Sequence, residues 1–189
     1  LVFVCAGFLC LSLPLPHPAA AYQQGDLQGT WESNGLASGP GAPWWERAHV
    51  TIAADGSFTA STTESNGGGD TLQASFSLSS MGIVTVPGSS TLRGVLDVGK
   101  TVMATTDTWS SGSPGTTELK VVVKTAGTYG LSELQGAWEF NAIASGPGAP
   151  WWERGRFTVA ADGSFSGTLT DNEGQSDPQA GVFSISPDG

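Results

Sequence analysis

Residues 27–58 read LQGTWESNGLASGPGAPWWERAHVTIAADGSF, and residues 134–165 read LQGAWEFNAIASGPGAPWWERGRFTVAADGSF. The two stretches stand 107 residues apart, and Ala37–Arg47 returns unchanged as Ala144–Arg154. Self-similarity at a fixed spacing makes a repeat the unit of architecture. A first unit then occupies residues 22–133 and a second starts at Leu134. The second unit runs to Gly189, which aligns with Gly82, so it holds about half the strands of the first and stops inside a hairpin, Ser186-Pro-Asp-Gly189. It reads as truncated, and the natural chain is expected to continue.

Inside a unit, short runs of Thr, Val, Phe and Trp alternate with clusters of Gly, Pro, Asn, Asp and Ser, the pattern of an all-β chain. The first unit predicts eight antiparallel strands: Gly29–Leu36, Ala48–Ala53, Ser57–Glu64, Leu72–Leu78, Ile83–Val86, Thr91–Asp97, Thr101–Trp109 and Thr117–Lys124. Asp55-Gly56 is a strong hairpin signal, because glycine accepts positive φ without a Cβ clash. Met81-Gly82 and Gly99-Lys100 are weaker versions of the same device. Gly39–Pro43 carries two prolines and cannot sit in a central strand. Tandem β-meander units of about 107 residues fit two architectures. In one, each unit closes into an eight-stranded barrel, which removes exposed edges. In the other, each unit forms two propeller-like, four-stranded blades. A faint half-repeat, Asp55–Thr63 against Val98–Thr106, speaks for blades; the barrel is the favoured reading.

Leu1–Leu15 is almost wholly apolar and leads through Ala19 and Ala21 to polar Tyr22-Gln-Gln-Gly. That is the pattern of a cleaved secretory signal over residues 1–21, too short and too broken by Pro14 and Pro16 to span a membrane well. A secreted, extracellular or periplasmic protein is expected. Both cysteines, Cys5 and Cys10, fall in this segment, so the mature chain would have no disulfide, thiolate metal site or cysteine nucleophile. Seven Lys and Arg stand against 17 Asp and Glu, a formal charge of −10. Such acidity disfavours nucleic acid and anionic membranes as partners.

Gly29-Thr30-Trp31, opening the first strand of an eight-strand meander, resembles the G-x-W signature of lipocalins and their avidin-like relatives, and Gly136-Ala137-Trp138 repeats it. The resemblance implies a barrel whose Trp plugs one end while the open end holds a small apolar ligand. Thr106-Asp107-Thr108 stands where a lipocalin shows T-D-Y, without the aromatic. Lys124 stands where that family carries an arginine on its last strand.

The Trp pairs, Trp44-Trp45 and Trp151-Trp152, are the sharpest candidate binding feature. Neighbouring residues on an extended chain point to opposite sides, so one Trp of each pair can enter the core while the other forms a platform for a sugar ring or a partner side chain. Glu46-Arg47 and Glu153-Arg154 would orient a polar ligand beside those rings, or simply pair with each other at the rim. The plain alternative is that both rings fill the space under a long loop. Asp55 and Asp162 belong to turns. Glu32, Glu46 and Asp107 are available as acids, but nothing in the sequence brings two of them together as a glycosidase requires. His49 is replaced by Arg156 in the second unit, so neither a Ser-His-Asp mechanism nor a His-ligated metal is expected. Asp171–Asp177 offers oxygens for Ca²⁺ but lacks EF-hand spacing, and a solvated loop is the default.

These observations predict a secreted, non-enzymatic β-repeat protein, without metal or cofactor, that binds carbohydrate or protein through copies of the Trp-Trp-Glu-Arg loop. A carrier of a small apolar ligand is the alternative, and a structural spacer of a larger extracellular protein is a third.

Overall fold

The computed structural model describes residues 21–39, 43–109, 115–125, 127–144 and 151–186. The expected export signal, up to residue 20, lies outside the described residues, as do the loop positions 40–42 and 110–114. Strand β1 (Gly29–Ser38) buries Trp31, Ser33, Gly35 and Ala37 and exposes Asn34, Leu36 and Ser38. Strand β2 (Trp44–Ile52) buries Glu46, Ala48, Val50 and Ile52 and exposes Trp45, Arg47, His49 and Thr51. With side chains alternating at period two, a one-residue slip would turn every buried group outward, so the pairing of Trp31 with Val50 and of Gly35 with Glu46 is well specified.

Seven further strands follow: β3 (Ser57–Glu64), β4 (Thr71–Ser75), β5 (Ser77–Leu78), β6 (Ile83–Thr85), β7 (Arg93–Leu96), β8 (Val102–Trp109) and β9 (Thr116–Thr125). They join β1 and β2 in one antiparallel sheet of order β4-β3-β2-β1-β9-β8-β7-β6-β5. The two outer members, β4 and β5, are a single run of chain broken only at Phe76. One half pairs with β3 and the other with β6, so the sheet curls into a nearly closed barrel. Phe76 donates its N–H to the Gly56 carbonyl at 2.9 Å and stacks its ring on Phe58 at 4.5 Å. The break would strand backbone groups, and the Gln24 side chain takes them up: its Nε2 donates to Phe76 O and its Oε1 accepts from the Leu78 N–H, both at 2.9 Å.

The expected strands are therefore present, with one split and the second begun four residues earlier. The predicted Leu72–Leu78 strand divides at Phe76, and β2 starts at Trp44 rather than Ala48, so the Trp pair is strand and not loop. The blade alternative does not describe this sheet, because the first and last strands pair along their whole length, Leu36 opposite Leu119 and Trp31 opposite Lys124. At Gly99-Lys100 the left-handed residue is Lys100, with φ 60°, and not the glycine. Asp97 explains this turn, since its Oδ1 accepts from the N–H groups of Thr101 and Val102 at 2.7 Å.

One end of the barrel is shut. A 3-10 turn, Gln24–Leu27, crosses it and buries Leu27 against Trp31, Ile52, Val84, Leu96 and Met103. Trp31, fully buried, donates its Nε1–H to Leu27 O at 2.8 Å. Lys124 lies over the Trp31 ring at 5.2 Å and donates to Asp26 O at 3.0 Å, while Lys100 pairs with Asp26 at 2.8 Å. The Lys100 hydrogen bond holds the Asp26 carboxyl below its ordinary range.

The remaining residues give a short helix, α1 (Leu131–Leu134), and a four-stranded antiparallel sheet of β10 (Gly136–Ala144), β11 (Trp151–Val159), β12 (Ser164–Asp171) and β13 (Ser176–Val182). Its pairings match those of β1 to β3 at the same 107-residue spacing; Trp138 faces Phe157 as Trp31 faces Val50. Trp138 donates to Leu134 O at 2.7 Å, as Trp31 does to Leu27 O. Its burial is another matter, for Trp138 is 42% exposed and Trp31 0%. Among the described residues this sheet has four strands and does not curl shut, so the barrel expected for each unit is seen only in the first. Phe157, Phe165 and Phe183 pack on one another there, with ring centroids 4.5 to 5.7 Å apart. No helix among the described residues is long and apolar enough to cross a membrane.

Candidate functional site

Inside the barrel, above the Trp31 plug, lies a cavity of about 190 Å³. Val50, Ile52, Phe58, Phe76, Met103 and Val122 form its apolar part, and Ser33, Glu46, Thr62, Thr105, Asp107, Glu118 and Lys120 its polar part. The division follows the registers. Val50, Ile52, Phe58, Phe76, Met103 and Val122 come from the part of the barrel nearer the plug, while Leu72, Val86 and Leu92 add apolar surface at the other end. Glu46, Thr62, Asp107 and Glu118 come from the opposite ends, where β1 turns into β2, β3 into β4 and β8 into β9.

Period two puts Thr116, Glu118, Lys120, Val122 and Lys124 of β9 on the inner face. Lys120 Nζ reaches across β1 to Glu46 Oε1 at 2.6 Å and stands 3.4 Å from Glu118 Oε1. The three side chains are 22%, 9% and 1% exposed for Lys120, Glu46 and Glu118. What lets the ammonium cross is Gly35, the β1 residue opposite both Glu46 and Lys120. A Cβ at Gly35 would come 2.7 Å from Glu118 Oε1 and 3.1 Å from Lys120 Cγ. Burial alone would lower the Lys120 pKa; the hydrogen bond to Glu46 and the charges of Glu118 and Glu46 outweigh it and hold the group above its ordinary range. Asp107 is fixed at the same mouth, its Oδ1 accepting from Thr91 Oγ1 at 2.6 Å and from the Thr108 N–H at 2.7 Å.

The residues singled out in sequence divide between two faces. Glu46 points into the barrel and pairs with Lys120, so the expected rim pair with Arg47 does not form. Arg47 points outward and lies over the Trp45 ring at 5.0 Å; Trp45 is 40% exposed, and Trp44 is half-buried. In the second sheet Arg154 lies over Trp152 at 5.4 Å, Trp151 and Trp152 are both exposed, and Glu153 is half-buried. Trp-Trp-Glu-Arg is thus two outward residues interleaved with two that face the other way. Glu118, Lys120 and Asp107 form the rest of the interior cluster. The signal for Glu118 and Lys120 is the alternation in Thr116-Thr-Glu-Leu-Lys-Val-Val122, but only the register shows which partners they meet.

The other sequence candidates take structural parts. Asp55 and Asp162 close their turns by accepting from Ser57 and Ser164 through both backbone N–H and hydroxyl, which lowers both carboxyl pKa values. His49 pairs on the outer surface with Glu32 at 2.5 Å, and Arg156 pairs with Glu139 at the corresponding place. Asp171 accepts from the N–H groups of Glu173 and Gln175, both at 2.9 Å. Among the described residues no cluster of three or more His, Cys, Asp or Glu side chains is placed to hold a metal ion.

No protein-family model matches this chain. No curated protein matches it either. A solved structure similar in part is that of a protein of unknown function from the DUF3598 family of Nostoc punctiforme. It is 10% identical, with a TM-score of 0.32, over 86% of this chain and 72% of that one.

Proposed function

We propose that the first unit is a non-enzymatic binding module that takes a small, largely apolar molecule into its barrel, in a protein exported from the cell as tandem β units. The observation that carries this reading is the cavity of about 190 Å³, lined by apolar side chains toward the plug and by a few convergent polar groups at the mouth. That division of labour is typical of small-molecule sites, where apolar walls supply affinity and sparse polar groups fix orientation. The plug itself supports the lipocalin-like resemblance: Trp31 is capped by a 3-10 turn and covered by Lys124, where that family carries an arginine. The test is native mass spectrometry of the full chain as purified from its secreting host, followed by solvent extraction. A bound small molecule released on extraction, and absent from a Ser33→Phe/Ala48→Gly variant, is the expected result. Those two substitutions copy the facing pair Phe140 and Gly155 of the second sheet and place a ring in the cavity. A protein that emerges empty, and stays empty when offered small apolar compounds, would overturn the reading.

A second reading rests on the outer face. Trp45 with Arg47, and Trp152 with Arg154, present two like-built, exposed cation–π pairs. Duplicated weak sites gain avidity for a repetitive carbohydrate or protein surface. Pull-down on glycan or cell-wall material, lost in Trp45→Ala/Trp152→Ala and kept in the cavity-filled variant, would separate this reading from the first.

A further inference from the structure

The sheet is nearly closed, and the place where it stays open bears on what reaches the cavity. Among the described residues β4 pairs only with β3. Running the β5–β6 ladder back past Phe76 would set Ser75 opposite Pro87, which has no N–H to give, and the chain turns away there through Gly88, φ 86°. The edge left free can be read residue by residue. Phe76 donates its N–H to Gly56 O and Thr62 donates its N–H to Asp70 O, both at 2.9 Å, so by antiparallel alternation Leu72 and Ala74 turn their backbone groups to β3. Thr71, Gln73 and Ser75 turn theirs outward. Leu72, opposite Ala60, points into the barrel and lines the cavity, yet it is 43% exposed. Val86 and Leu92, from the connection between β6 and β7, line the cavity at this end too. An open ladder and an apolar opening thus share one strand. Exposed edges are commonly blunted by a charge or a proline, and Thr71–Ser75 carries neither. The second sheet is blunted at the same place: 107 residues on, Pro178 stands for Thr71 and Gln179 for Leu72, so an outward N–H and the apolar lip are lost together.

Resting on the reading of the barrel as a cavity for a small apolar body, we infer a second class of ligand for it: an extended peptide that adds to β4 as a further strand and sends one apolar side chain inside. In strand addition main-chain bonds supply affinity, and a pocket for an alternate side chain supplies selectivity. Size sets the anchor. A dry cavity of about 150 Å³ holds benzene. One of about 190 Å³ therefore takes a single Phe, Leu or Met side chain. The residues on either side of that anchor point the other way, to solvent, and are free to be polar.

Calorimetric titration of the full chain with four probes tests this. They are the capped peptide acetyl-Ser-Thr-Phe-Thr-Ser-amide, its analogue with alanine for phenylalanine, its analogue with every backbone nitrogen methylated, and 2-phenylethanol, which offers the cavity a ring alone. The Phe peptide is expected to bind at least about tenfold more tightly than either analogue and than 2-phenylethanol. Thr71→Pro removes one outward donor and leaves the β3 ladder whole; it should weaken the peptide about fivefold or more, the share of one ladder bond, and leave 2-phenylethanol unchanged. Ser33→Phe/Ala48→Gly should abolish binding of both. A Phe peptide that binds no better than its methylated analogue, or equally well to Thr71→Pro, overturns the peptide inference, and binding of 2-phenylethanol then leaves the cavity reading standing. Failure of peptide and 2-phenylethanol alike to bind the parent protein, with its circular dichroism intact, overturns both. If Thr71→Pro does not fold, the methylated analogue makes the same comparison without altering the protein.

Discussion

Replacing Lys120 by Met removes one ammonium and keeps a flexible stem of similar length. In the parent protein that ammonium lies 2.6 Å from Glu46 Oε1 and 3.4 Å from Glu118 Oε1, and the two carboxylates are 9% and 1% exposed. Without it, Glu46 loses its 2.6 Å partner across Gly35, and Glu118 loses a nearby positive charge. Breaking a buried ion pair from one side costs about 3–5 kcal/mol, because the charge left behind is desolvated and uncompensated. For a domain of about 100 residues that is a fall in Tm of roughly 10–25 °C. The sign of the pH response follows. Burial disfavours the charged form of a carboxylate that has lost its ammonium, so the penalty is full at neutral pH and fades on acidification. Thermal unfolding followed by near-UV circular dichroism should show the large deficit at pH 7.5 and a clearly smaller one at pH 5. The double variant Glu118→Gln/Lys120→Met should recover part of the loss at pH 7.5. A Lys120→Met protein that melts within about 2 °C of the parent at pH 7.5, the size of a neutral surface substitution, would refute the reasoning. So would a deficit that grows on acidification.

Three further outcomes are expected. In the parent protein the Lys120 pKa is raised above its ordinary 10.5, so the stability it brings is complete below that pH and lost as pH climbs through the raised value; an alkaline melt series should show a loss there that Lys120→Met lacks. Gly56→Ala should cost at least about 2–3 kcal/mol in denaturant unfolding, since its φ is 89° and a Cβ would strike Phe76 O at 2.3 Å, whereas Gly67→Ala, with φ 81° and open space around it, should cost only about 1 kcal/mol. Trp31→Phe should cost about 2–4 kcal/mol by the same measurement, through lost volume and the lost bond to Leu27 O, and Trp138→Phe clearly less, because that ring is 42% exposed.

Much of the barrel is legible in the chain because each of its signals is local. The alternation in Thr30–Ala37 and His49–Ala53 and the Asp55-Gly56 turn depend on neighbours a few residues away. What escapes is set by distance along the chain. The break at Phe76 depends on Gln24, 52 residues earlier, supplying the amide that replaces two ladder bonds. The Glu46–Lys120 pair joins residues 74 positions apart, and it exists because Gly35 leaves room between them. A reader of the sequence sees Trp-Trp-Glu-Arg as one unit of chemistry. Strand geometry splits it, sending Glu46 to the cavity and Trp45 with Arg47 to solvent. The turn at Gly99-Lys100 shows the reverse case, where a local glycine is a poorer guide than the Asp97 carboxylate that organises the loop.

The central claim is that a small molecule enters the first barrel, and the chain carries a pair of probes suited to it. It has two methionines: Met103 is fully buried and lines the cavity, while Met81 is 79% exposed on a turn. With the methionine methyl groups labelled with carbon-13, a two-dimensional NMR titration with 2-phenylethanol, a small uncharged apolar probe, reads both positions in one experiment. The account predicts a saturable shift of the Met103 methyl signal with the Met81 signal unmoved, and no Met103 shift in the cavity-filled variant. A Met103 signal that stays in place at the highest soluble concentration of the probe would contradict it.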